Sequence, residues 1–171
     1  MARLGWQVTA TDIPPVLDSV LRPNVEAAMY QMEAAGQTVP GQIEVCELDW
    51  TIQPEDWQLC LDSGSPSAGE YPDNTEMREP QHFDLILTAD TIYEPSIVRP
   101  LLSTIARLYR RRSGHSPTVL LALERRDPTH VTEALRVARD EYDLPFKQIP
   151  VKRVRKIFDT LGDGATWSRD D

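Results

Sequence analysis

The hydrophobic and polar positions of the chain fall into alternating strand-like and helix-like stretches. "WQVTATDI" (6–13) is β-branched and apolar, with Gly5 before it as a helix C-cap and Pro14-Pro15 after it, which predicts helix end, strand and turn. Val16, Val20, Leu21, Val25, Ala28, Met29 and Met32 then recur at helical spacing until Gly36 closes the segment, and Pro23 should kink or divide that helix. "IEVCELDW" (43–50) alternates like a strand. "FDLILTAD" (83–90) is an apolar run continuous enough for the middle of a parallel sheet, and "TVLLALE" (118–124) is a second buried strand. Between them "SIVRPLLSTIARLYRRR" (96–112) is an amphipathic helix with basic residues in its last turn, where the helix dipole favours them. "THVTEALRVARDEYD" (129–143) reads as a helix capped by Thr129, and "FKQIPV" (146–151) as a further strand. The order β-α-β-loop-β-α-β-α-β predicts an α/β fold with a largely parallel sheet, whose ligands bind beyond the C-terminal strand ends.

Composition adds bounds to this frame. A length of 171 residues fits one domain over 1–171. Residues 62–81, "DSGSPSAGEYPDNTEMREPQ", are rich in Gly, Pro, Ser and acids, which predicts a long surface loop or disordered insertion within that domain. The formal net charge of −9 argues against nucleic acid as a partner, although "RLYRRR" (107–112) and "VKRVRK" (151–156) are local basic islands that read as solvated faces. No apolar stretch approaches the roughly 18–20 residues of a membrane span, so no membrane partner is expected. The N-terminal "MARLGWQVTATDI" has no signal-peptide pattern. Cys46 and Cys60 lack metal-ligand spacing, so no metal is expected; Cys46 reads as a buried free thiol, which points to a reducing cytoplasmic or nuclear compartment.

The strand ends carry the candidate chemistry. The four end respectively at Asp12, at Asp49-Trp50, at Asp90 with Tyr93 three residues on, and at Glu124. One strand-end Asp is commonly a turn former, but the joint pattern exceeds what loops require. A carboxylate at Asp12 suits ribose hydroxyls. Trp50 is either a core aromatic or a flat surface for a purine ring, with Asp49 accepting from an exocyclic amine.

"VTATDIPPVLDSVLRPNVEA", "ELDW", "FDLILTADTIYEPSIVRPLL" and "LERRDP" together resemble the seven-β-strand, S-adenosylmethionine-dependent methyltransferases, in particular their protein-lysine methyltransferase branch. The resemblance runs from about residue 4 to 158, interrupted at 62–81, and "ADTIY" is its most specific part. It implies a Rossmann-like seven-strand fold, S-adenosyl-L-methionine as cofactor and a protein lysine side chain as substrate. It implies that Asp12 binds the ribose, that Trp50, with Asp49 beside it, flanks the adenine, and that Ala89 meets the cofactor through its backbone. Asp90 and Tyr93 then shape the substrate entry as catalytic candidates. The chain departs from that family in lacking an E-x-G-x-G-x-x-G loop; "GDG" (162–164) follows the wrong elements, and "ATWSRDD" (165–171) resembles the approach to the last strands. The expectation is an incomplete, monomeric domain without its first strand, glycine loop and last strand. The competing expectations are a non-catalytic interaction module on the same scaffold and a nicotinamide-dependent oxidoreductase. The second of these has no Tyr-x-x-x-Lys constellation here.

Overall fold

The computed structural model describes residues 1–36, 40–52, 83–110 and 116–161. The expected insertion at 62–81, Cys60 and the 162–171 tail lie outside them. A 3-10 turn, Ala2–Leu4, ends at Gly5, whose φ of 86° is the left-handed cap expected from sequence. The chain then enters strand β1, Val8–Asp12. The following helical stretch is divided as Pro23 requires. One α-turn, Pro14–Val16 (α1), leads into a π-helical turn, Leu17–Leu21, and α2 starts afresh at Arg22–Ala34 with Pro23 in its first turn, where a missing N–H is harmless. Strand β2, Ile43–Glu47, runs parallel to β1, with Val8 opposite Ile43 and Asp12 opposite Glu47. Gly41 enters this strand beneath the N-terminal turn, donating its N–H to the Ala2 carbonyl at 3.1 Å. A Cβ there would lie 2.7 Å from that carbonyl oxygen and would collide with the Trp6 carbonyl, so only glycine fits.

Strand β3, Leu85–Ala89, passes through helix α3, Pro95–Arg110, to strand β4, Thr118–Ala122, again in parallel register with Leu85 opposite Thr118 and Ala89 opposite Ala122. Helix α4, Pro128–Tyr142, follows. Its N-cap is Asp127 rather than the expected Thr129: the Asp127 carboxylate accepts from the N–H groups of Thr129 at 2.9 Å and His130 at 3.0 Å. Pro128 occupies the first turn, so the helix starts before the threonine. The last expected strand is also corrected. Residues 146–150 form no strand, and helix α5 runs Val151–Leu161. Pro145 and Pro150 flank that short segment and deprive it of ladder donors.

The fold is thus mixed α/β with short parallel strands. Among the described residues it holds two separate two-stranded sheets, β1-β2 and β3-β4, in place of one continuous sheet. The hydrophobic core lies on the β3-β4 side. Leu101, Leu102, Ile105 and Ala106 of α3 pack with Ala134, Val137 and Ala138 of α4 and with Ile92 and Leu144, while Val119, Leu121 and Trp50 border them. Cys46 is fully buried, as expected. Strand β3 differs from its expected place in a sheet interior: among the described residues it pairs on one edge only, and Leu87 is 53% exposed.

Candidate functional site

The C-terminal ends of β1, β2 and β3 border a cavity of about 680 Å³. Its lining includes all six residues singled out from sequence: Asp12, Asp49, Trp50, Ala89, Asp90 and Tyr93. Glu124, the fourth strand-end acid, is not among the lining residues. It faces outward instead and accepts from the Arg126 guanidinium at 2.7 Å. That hydrogen bond first, the Glu124 charge second and the charge of Asp90 third hold the Arg126 pKa above its ordinary value.

Each acid is positioned by local backbone chemistry. Asp12 belongs to the last ladder pair of β1, opposite Glu47, and its Oδ1 accepts from the next N–H, Ile13, at 2.8 Å. Asp49 Oδ1 accepts from both the N–H of Thr51 at 2.8 Å and its hydroxyl at 2.7 Å, an Asx-type turn that presents Trp50. The turn-former reading of a strand-end Asp therefore holds for Asp49, with one oxygen committed to structure. The half-buried ring of Trp50 borders the hydrophobic core, as its core-aromatic reading requires, and also lines the cavity.

Asp90 adopts φ 51°, a left-handed conformation that Asp tolerates better than most side chains. It ties the two strand ends together. Its N–H donates to the Ala122 carbonyl at 2.9 Å, and its Oδ1 accepts from the Glu124 N–H at 3.4 Å. The reversal turns the chain out of the sheet, so that Thr91 and Tyr93 also line the cavity while Ile92 points into the core. Tyr93 stands at the rim, 73% exposed. Ala89 directly precedes the reversal and leaves the wall there low.

Sequence reasoning missed the threonines. Thr9, Thr11, Thr88, Thr91 and Thr104 line the cavity, and the Oγ1 atoms of Thr88 and Thr91 are buried without a hydrogen-bond partner. A threonine in a strand is ordinarily a β-former, so type and spacing alone gave no signal. An unpartnered buried hydroxyl is costly unless something else meets it.

The described lining carries three carboxylates and no Lys, Arg or His. Such a site attracts cations and repels phosphates, which disfavours a dinucleotide pyrophosphate and with it the oxidoreductase alternative. It suits a sulfonium and an amine. Asp12 retains an oxygen for a diol, Trp50 offers a flat apolar face, and Thr88 and Thr91 offer unspent hydroxyls, so the residues fit the adenosyl end of S-adenosylmethionine. No glycine is among the lining residues, and they offer no cationic partner for that molecule's carboxylate.

Comparison with known proteins adds one match. Residues 70–136 match the model of a family described as "Lysine methyltransferase". The matched segment contains β3, the Asp90 reversal, α3, β4 and the first part of α4. It bears out the family resemblance carried by "FDLILTADTIYEP". No curated protein matches the chain.

Proposed function

We propose, taking this chain to be a lysine-methyltransferase-like protein, that the cavity serves S-adenosylmethionine-dependent methyl transfer to a protein lysine side chain. The four strands then belong to a larger parallel sheet of the seven-strand kind, in a monomeric intracellular protein. When bound, S-adenosylmethionine supplies an electrophilic methyl group on a cationic sulfur. Asp12 accepts hydrogen bonds from the ribose, Trp50 lies along the adenine with Asp49 beside it, and Ala89 allows close approach of the ligand to the backbone.

The residues around Asp90 handle the amine. A free lysine is protonated below about pH 10.4, and only its neutral form carries the lone pair that forms the new N–C bond. The Asp90 carboxylate draws the ammonium to the strand end and holds it by a charge-assisted hydrogen bond. Tyr93, at the rim, offers its hydroxyl and its ring face to the same nitrogen. Asp90 and Tyr93 would hold the nitrogen while its proton passes to the carboxylate or to water at the open rim; the cofactor, when bound, would supply the methyl group, its S–C bond breaking as the N–C bond forms and the neutral thioether leaving.

The observation that carries this reading is the gathering of Asp12, Trp50, Asp90 and Tyr93 on a single cavity whose charged lining, among the described residues, is wholly acidic. The test is incubation with isotopically labelled S-adenosylmethionine and a cell lysate, followed by mass spectrometry for methylated lysine. Labelled lysine that is lost in the Asp90→Asn variant supports the proposal, and absence of any labelled lysine counts against it. A second reading, a non-catalytic module on the same scaffold, draws on the lack of glycines and cations among the described lining residues. Calorimetric titration separates the two, because a module gives no heat with S-adenosylmethionine.

A further inference from the structure

Helix α5, Val151–Leu161, stands apart from the rest of the fold. None of its described residues is buried, and it contributes nothing to the hydrophobic core. Its sequence is nevertheless two-faced. Val151, Val154 and Ile157 recur three residues apart and share one face, and Phe158 and Leu161 continue the apolar spacing in sequence. Lys152, Arg153, Arg155 and Lys156 fill the positions between and are all exposed. Asp159 is the one acid of the helix. Val154 is half-buried, but Val151 is 65% exposed and Ile157 52%. Ile149, just before the helix, is 50% exposed and extends the apolar strip.

The helix therefore calls for something to lie against. At 11 residues it is marginal in water by itself, and an amphipathic helix draws most of its stability from packing its apolar face. Its four cations also set it against a chain whose formal net charge is −9. We infer that α5 docks the protein on the surface of an anionic bilayer. The helix lies in the plane of that surface, with Val151, Val154 and Ile157 at the acyl boundary and the four cations among lipid phosphates. Charge complementarity selects the anionic lipid, and the shallow strip of short β-branched side chains selects a flat surface over the deep anchor pockets of an acidic protein groove. The acidic remainder of the chain is repelled by the same surface, so the contact is reversible and salt-dependent. Among the described residues no helix is long and apolar enough to cross a membrane. The sequence expectation of no membrane partner concerns such spans, and a helix that lies along the surface requires none.

This inference does not depend on the methyl-transfer reading, because its readout is sedimentation with vesicles and not turnover. The 171-residue chain is mixed with phosphatidylcholine vesicles containing about 30% phosphatidylserine, with vesicles of phosphatidylcholine alone, and with soluble polyglutamate. The expected result is binding to the anionic vesicles at least about 10-fold stronger than to the neutral ones, lost at about 0.5 M salt. Lys152→Gln combined with Arg155→Gln should abolish it, and so should Val151→Asp combined with Ile157→Asp. All four side chains are exposed, so the urea midpoint of each variant should stay at that of the parent. Ile157→Gln, which keeps helix propensity, replaces the aspartate pair should that pair disturb the fold. Failure to bind anionic vesicles would overturn the inference. So would equal binding to neutral vesicles, or undiminished binding after the apolar face is changed, which would reduce the contact to charge adsorption. Binding to polyglutamate but to neither vesicle would assign α5 to an acidic protein and overturn it as well.

Discussion

Asp90 illustrates how much one residue is asked to do. It closes the β3-β4 ladder through its N–H, braces the start of the next segment through its carboxylate, and turns the chain through a left-handed φ of 51°. Replacing its charge without its shape separates these roles. Asp90→Asn keeps the left-handed tolerance and an acceptor oxygen, so its urea midpoint should stay close to that of the parent. Methyl transfer should fall by about 100-fold or more, the size of loss expected when a reacting amine is no longer held in place. Parallel unfolding and turnover measurements check both halves of that expectation. This residue was also the most legible part of the site from sequence, because an acid at the end of an apolar run has few structural reasons to be joined by a phenol three residues on. Thr88 and Thr91 were illegible, because what marks them is an unmet hydroxyl, and that becomes visible only when the surrounding groups have coordinates.

Among the elements, α4 shows where pattern fails and local chemistry decides. Its apolar spacing is plain in the sequence, but its start depends on which acceptor reaches the free N–H groups of the first turn. Asp127 reaches two of them. Asp127→Ala should therefore destabilise the protein by about 0.5–2 kcal/mol, read from urea unfolding, whereas Thr129→Ala should have little effect on the cap. The outer face of α4 carries a second expectation. A hydrogen bond from Arg136 lowers the Glu133 pKa below its ordinary 4.5, and one from Arg139 lowers that of Asp140 below its ordinary 3.8. Groups with depressed pKa values in the folded state stabilise it above those ordinary values and lose that contribution as pH falls through the folded ones. Stability should thus decline on the acid side, and Arg136→Gln should flatten that decline in thermal melts recorded across it. The effect should be small, because these pairs are exposed and screened by salt.

For the whole molecule, the alternation of strand and helix and the parallel pairing were readable, since βαβ connections leave few other arrangements. The continuity of the sheet was not. "FDLILTAD" has the composition of an interior strand, yet Leu87 and Ala89 stand exposed at an edge. Composition reports what a strand is suited to sit beside, whereas burial depends on whether that neighbour is there. The 146–151 segment failed as a strand for a related reason, because its bounding prolines outweigh its apolar content.

The uneven distribution of core residues has a consequence for how the chain comes apart. The cluster of α3 and α4 residues supports β3 and β4, while α2 contributes no buried side chain and β1 and β2 rest on few, Cys46 and Leu48 among them. Among the described residues no ladder joins the two sheets, so no backbone hydrogen bonding there obliges them to open together. Native-state hydrogen exchange should resolve two cooperative units, in which Val45 and Cys46 of β2 open at markedly lower free energy than Leu102 and Ile105 of α3. A single opening free energy shared by both sets would show the halves to be one unit. If the expected order holds, the half bearing Asp90 and Tyr93 persists as a folded platform while the half bearing Asp12 opens and recloses against it.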